Sequence, residues 1–138
     1  MNFNTNKEKG NAGLSMAIAY FASNGYAVSI PLNDTQDYDL IVDKEGMLQR
    51  VQCKATGNRM ENGSYELLLA SSGGTKGDRY KTLIETNVEL LFALREDGIM
   101  YVIPVKDLKN VKSIRLITEK NKFAHKDYLD TSQYIVTF

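Results

Sequence analysis

Residues 37–56 read "DYDLIVDKEGMLQRVQCKAT". "YDLIV" (38–42) is rich in β-prone residues, "DKEG" (43–46) is a turn signal in which Gly46 supplies a positive φ, and "MLQRVQCKA" (47–55) is a return strand. A turn spanning Asp43–Gly46 sets Val42 opposite Met47, and residues directly opposite one another share a sheet face. Asp37, Asp39 and Ile41 then lie with Leu48, Arg50, Gln52 and Lys54. The other face holds Tyr38, Leu40, Val42, Met47, Gln49, Val51 and Cys53; it is the more apolar of the two and is expected to be core.

Two chemistries fit the polar face. In one, Asp37 and Asp39 make screened cross-strand ion pairs with Arg50 and Lys54, each worth roughly 0.2–1 kcal/mol. In the other, an aspartate and an amide oxygen hold a hard divalent cation, and the lysine two residues from the amide stands near an attacked phosphate. Mg²⁺ takes oxygen ligands and keeps several waters, so one carboxylate, one side-chain oxygen and one backbone carbonyl suffice. Such a cation polarises the phosphate and lowers the pKa of a bound water, while the lysine stabilises charge on the phosphoryl oxygens or orients that water.

Working outward, residues 7–24 place Leu14, Ala17, Ile18 and Phe21 at the i, i+3, i+4, i+7 spacing of one helix face, and Asn24-Gly25 suits the stop. "YAVSIP" (26–31) is a short strand that ends at Pro31. Beyond the hairpin, "YELLLA" (65–70) and "ELLFALRE" (89–96) are strands flanking "SSGGTKGDRY", a glycine- and serine-rich loop before a short helix at about 78–86. "GIMYVIPV" (98–105) pairs with 89–95 across Asp97-Gly98, and "VKSIRLIT" and "QYIVTF" read as edge strands or packing segments. The class is α/β or α+β with a central mixed sheet.

The 138 residues fit a single domain, 1–138, able to bury a real core. One cysteine excludes an internal disulfide framework and a cysteine-rich zinc site, and the N-terminus carries no apolar signal run, which points to a cytoplasmic protein. No apolar run approaches the ~20 residues a membrane span needs, so no membrane role is expected. Net charge is zero, but residues 1–104 carry 10 Lys/Arg against 13 Asp/Glu and residues 105–138 carry 7 against 4, which makes the C-terminal end the basic one.

With these elements in order, the chain resembles the PD-(D/E)XK nuclease superfamily, in particular its compact group-I-intron-associated homing endonuclease branch, whose second acidic position is a glutamine. The likeness covers roughly residues 7–105: "KGNAGL", "YFASNGYAVSIPLNDTQDYDLIVDKEGMLQRVQCKAT", the glycine-rich loop, "NVELLFAL" and "DGIMYVIPV". It implies a restriction-endonuclease-like core with helices flanking the sheet and a metal-dependent DNA endonuclease using Mg²⁺, with Mn²⁺ as a substitute. By position it makes Asp39 the metal-binding aspartate, Gln52 the neutral second ligand, the Cys53 carbonyl a third, and Lys54 the catalytic lysine. It also implies a homo-oligomer, a dimer or tetramer, on DNA.

The family places a helix glutamate in a "G-x-x-G-E" context, and here "GNAGL" puts Leu14 there. Leu14 extends the apolar stripe, and Asn11, one turn earlier, is the neighbouring oxygen donor that compensates as a metal ligand. The departure leaves open a catalytically impaired DNA-binding or protein-interaction module with a protein partner; a further alternative, independent of Leu14, is a structure-specific nuclease such as a junction resolvase, set apart by the structure of its substrate and not by its active-site sequence. Lys76, Arg79 and Lys81 are candidate DNA-phosphate contacts on the glycine-rich loop, whose order is not that of a phosphate-binding P-loop. Lys106, Lys109, Lys112 and Arg115 form either a DNA-facing edge or a charge-protected edge strand, His125 has no second histidine to work with, and Cys53 is expected to be an inert core thiol.

Overall fold

The computed structural model describes residues 1–69, 71–72, 80–81, 83–120 and 129–138. Among them one α-helix, α1 (Asn6–Ser23), is followed by β1 (Ala27–Ser29), β2 (Leu40–Lys44), β3 (Met47–Thr56), β4 (Tyr65–Leu68), β5 (Ser71–Ser72), β6 (Tyr80–Lys81), β7 (Leu90–Arg95), β8 (Met100–Pro104), β9 (Ser113–Leu116) and β10 (Ile135–Val136). Short 3₁₀ turns occur at Leu83–Glu85, Val105–Asp107 and Thr131–Tyr134. Where a short helix is expected at about 78–86, the described residues form β6 and the first of these turns, because the run offers no helical apolar stripe.

Six strands form the main sheet in the order β1-β2-β3-β7-β8-β10. All neighbours are antiparallel except β3 and β7, whose parallel register runs from Val51 opposite Leu90 to Thr56 opposite Arg95. β7 is buried along its whole length, as expected of a central strand covered on both faces. α1 covers one face, packing Ala17 and Phe21 on Leu40, Val42, Val51, Ala55, Phe92 and Leu94. The other face carries the small β4-β9 sheet, with Tyr65, Leu67, Ile114 and Leu116 against Leu91, Ala93, Tyr101 and Ile103. Among the described residues the expected flanking helices are therefore one helix on one side and a β-layer on the other.

α1 starts at a Thr5 cap whose side chain accepts the Glu8 N–H at 3.1 Å, and it ends at Asn24-Gly25, with Gly25 at φ +85°. The sheet-facing stripe is Gly13, Ala17 and Phe21, with Leu14 and Ile18 half-buried beside it. Gly13 is central to the packing: a Cβ there would stand 3.4 Å from the Ala55 Cβ and 3.5 Å from the Lys54 carbonyl, so the helix backbone lies directly on β3.

The β2-β3 hairpin corrects one expectation. The observed register sets Lys44 opposite Met47, not Val42 opposite Met47. The loop is only Glu45-Gly46, both with positive φ (55° and 82°) as a tight type I′ turn requires, and the Asp43 side chain accepts the Gly46 N–H. The shift is two residues, so every side chain keeps its expected face while its cross-strand partner changes. Leu40, Val42 and Val51 are fully buried as anticipated. Arg50 does not turn to the hairpin aspartates; it forms an ion pair with Glu89 at 2.8 Å.

Candidate active site

β2 is shorter than β3. Its first residue, Leu40, pairs with Val51, so Gln52–Thr56 run on beside β7 with their other edge unpaired by β2. Asp39 lies at this step. Its N–H donates to the Val51 carbonyl at 2.8 Å, and its Oδ2 accepts the Cys53 N–H at 2.8 Å, in place of the backbone rung that a longer β2 would have supplied. In an extended strand the N–H and C=O of one residue point to the same side, so the Cys53 carbonyl faces this edge too.

The two-residue register shift brings Asp39 beside Gln52, and side-chain alternation keeps Asp39, Gln52 and Lys54 on one face. The Gln52 Oε1 is buried and accepts no hydrogen bond. A buried amide oxygen without a partner costs stability, roughly 1–3 kcal/mol, unless something supplies it with a positive charge or a proton. Asp39 is exposed as a residue, yet its carboxylate lies against the β3 edge: desolvation raises its pKa, outweighing the lowering by the Cys53 N–H and the Lys54 charge. Burial pushes the Lys54 amine in the opposite direction, to a pKa below its ordinary value; Asp39 works against that shift and Lys9 adds to it. Burial, then Asp39, pushes the Cys53 thiol up, which fits the expected inert cysteine.

Lys54 lines a groove of about 350 Å³ between α1 and β4. Asn6, Lys9 and Gly10 form its helix wall, Cys53–Thr56 its floor, and Glu66, Leu67 and Leu68 its far wall. Glu66 also pairs with Arg115 of β9 at 3.5 Å. Arg115, expected on a charged edge, is thus part of the wall's support.

Leu14 is half-buried against the apolar cluster under α1, where its place in the stripe put it. Asn11 is exposed on the helix and is absent from the groove wall. Lys76, Arg79 and His125 lie outside the described residues, as does the side chain of Lys81. Among the described residues no three His, Cys, Asp or Glu side chains gather as a metal-holding group, and no helix is long and apolar enough to cross a membrane. A donor set that includes an amide and a carbonyl falls outside such a three-residue cluster.

A family model described as PD-(D/E)XK endonuclease matches residues 4–136. The chain belongs to the PD-(D/E)XK endonuclease family. Its fold is shared with a solved bacterial homing endonuclease, I-Ssp6803I, at a TM-score of 0.78 and 25% identity, with 96% of this chain and 89% of that one covered. No curated protein sequence matches it.

In this PD-(D/E)XK chain the residues that sequence reading missed are Lys9, Gly10 and Glu66. A signal for Gly10 was present: Asn6, Gly10, Gly13 and Ala17 continue the sheet-facing stripe toward the helix start, in residues too small or polar to register as apolar, and Lys9 is the neighbour of Gly10 in that turn. Glu66 had no comparable signal, since the β4-β9 layer places it by long-range pairing.

Proposed function

We propose that this protein is a divalent-metal-dependent DNA endonuclease that hydrolyses phosphodiester bonds, with Asp39, Gln52 and Lys54 as its centre. The observation that carries the reading is the Gln52 Oε1, a buried oxygen without a partner, on the same sheet face as an oriented carboxylate and a desolvated lysine. A hard cation is what such an oxygen set fits: the Asp39 carboxylate, the Gln52 amide oxygen and the Cys53 carbonyl would hold Mg²⁺, or Mn²⁺ in its place. When bound, the ion supplies Lewis-acid polarisation of the phosphate and a water of lowered pKa.

The residues of the chain do the rest. The Cys53 N–H fixes one Asp39 oxygen, so the carboxylate is presented in a set orientation. Lys54, held from below by Gly13 and the helix, places its ammonium where negative charge grows on the phosphoryl oxygens. Water oxygen bonds to phosphorus, the phosphorus bond to one neighbouring sugar oxygen breaks, and that oxygen takes up a proton. One centre cuts one strand, so cutting both calls for a symmetric dimer or tetramer.

Leu14 supports a second reading, a DNA-binding or protein-interaction module impaired in cutting, because the helix offers the apolar cluster a leucine and the site no carboxylate. Cleavage of plasmid, linear and four-way-junction DNA with Mg²⁺ and Mn²⁺ separates the readings. Cutting of plasmid or linear duplex by wild type supports the endonuclease. Cutting of the junction alone makes it a structure-specific nuclease. No cutting by wild type together with cutting by Leu14→Glu establishes the impaired module.

A further inference from the structure

We infer that Lys9 of α1 is a second DNA-phosphate-binding residue of the groove, acting beside Lys54. The inference rests on the nuclease reading for its substrate class but on separate observations for its residue. Lys9 and Lys54 come from different elements and line the same groove. Lys9, Asn6, Thr56 and Asn58 also line an adjoining hollow of about 500 Å³ that reaches Glu96, so Lys9 stands where the two depressions meet.

Neither lysine has an ion-pair partner among the described residues. Three carboxylates stand in or beside the two depressions, and none is within ion-pair distance of either lysine. Glu66 pairs with Arg115 and accepts from the Asn58 side chain, Asp39 accepts the Cys53 N–H, and Glu96 accepts the Phe3 N–H. Lys9 and Lys54 are like charges lining one groove, and Asp39 offsets only part of the burial cost at Lys54, so a phosphate that enters the groove is attracted by both. Their separation into two adjoining depressions suits successive phosphates of one strand, with Lys54 at one and Lys9 at the next. Gly10 leaves the helix wall low beside Lys9, which gives a backbone phosphate room to approach.

The test is a salt titration of DNA binding with EDTA present, so that nothing is cut, using a mixed-sequence duplex and wild type, Lys9→Gln, Lys9→Arg and Lys44→Gln. Removing one side-chain cation that neutralises a phosphate lowers the slope of log affinity against log salt by about 0.9. Lys9→Gln is expected to lower the slope by that amount, Lys9→Arg to keep it, and Lys44→Gln, at the hairpin tip, to keep it as well. A Lys9→Gln slope equal to that of wild type overturns the assignment. Cleavage with Mg²⁺ and Mn²⁺ is read in parallel. If wild type binds with the Lys9-dependent slope yet cuts nothing, the nuclease reading fails and Lys9 stands. If wild type cuts and Lys9→Gln matches it in slope and in kcat/KM, Lys9 fails and the nuclease reading stands.

Discussion

The Cys53 N–H donates to the Asp39 Oδ2 at 2.8 Å across the place where β2 stops and β3 continues. One hydrogen bond therefore both closes the ladder and aims a carboxylate. Asp39→Asn keeps an acceptor for that N–H, whereas Asp39→Ala leaves it open, at a cost of roughly 1–3 kcal/mol. Both variants are expected to lose cleavage about 100-fold or more, and only the alanine to melt lower than wild type.

The pH dependence of Asp39→Asn has a definite sign. The folded pKa of Asp39 is raised. Its contribution to stability is thus fully present below the unfolded pKa and is lost as pH rises through the folded one. In EDTA, Asp39→Asn is expected to melt above wild type at neutral pH, with the difference closing below the ordinary carboxylate range. Thermal unfolding across pH reads this directly.

For Lys54 the folded pKa is lowered, chiefly by burial. The folded state therefore holds the Lys54 proton less readily than the unfolded chain, and the cost of burying this group falls as pH rises from the folded pKa toward the unfolded one. Lys54→Met keeps the stem and removes the charge. It is expected to raise the neutral-pH melting temperature, with the gain shrinking at alkaline pH, and to slow cleavage by about 100- to 1,000-fold.

Gln52 separates metal binding from catalysis. Gln52→Leu removes an oxygen that has no hydrogen bond, so the metal-free variant should melt at or above wild type while losing the thermal shift that Mg²⁺ or Mn²⁺ gives. Gln52→Glu sets a second carboxylate beside Asp39 and should melt lower than wild type in EDTA. Its larger rise on adding Mn²⁺ would mark the same oxygen as a ligand. Equal metal-induced shifts in wild type and Gln52→Leu would exclude it.

Gly13 tests the close approach of α1. A Cβ there lies 3.4 Å from the Ala55 Cβ, which is van der Waals contact, so Gly13→Ala should be neutral or more stable by up to about 1 kcal/mol. Gly13→Leu must push the helix off β3 and is expected to cost about 1–3 kcal/mol in urea unfolding.

Much of this was legible in the residues themselves. The hairpin's faces followed from alternation, and they survived a turn placed wrongly because an error of two residues preserves parity. The cross-strand partners did not survive it, so Asp39 and Arg50 were expected to face each other while Asp39 in fact lies beside Gln52 and Arg50 turns to Glu89. The helix stripe was read one residue off centre, since Gly13 carries no hydrophobic signal although it makes the closest approach. Glu66 stayed hidden, because a strand pairing with the distant β9 leaves no local trace.

The most direct test of a single metal-dependent centre at Asp39, Gln52 and Lys54 is single-turnover cleavage of supercoiled plasmid in Mg²⁺, comparing wild type with Lys54→Met at equal DNA occupancy. Nicking by wild type that EDTA abolishes, and that Lys54→Met slows at least about 100-fold with its fold intact, is the expected result. A folded Lys54→Met protein that nicks at the wild-type rate would contradict it.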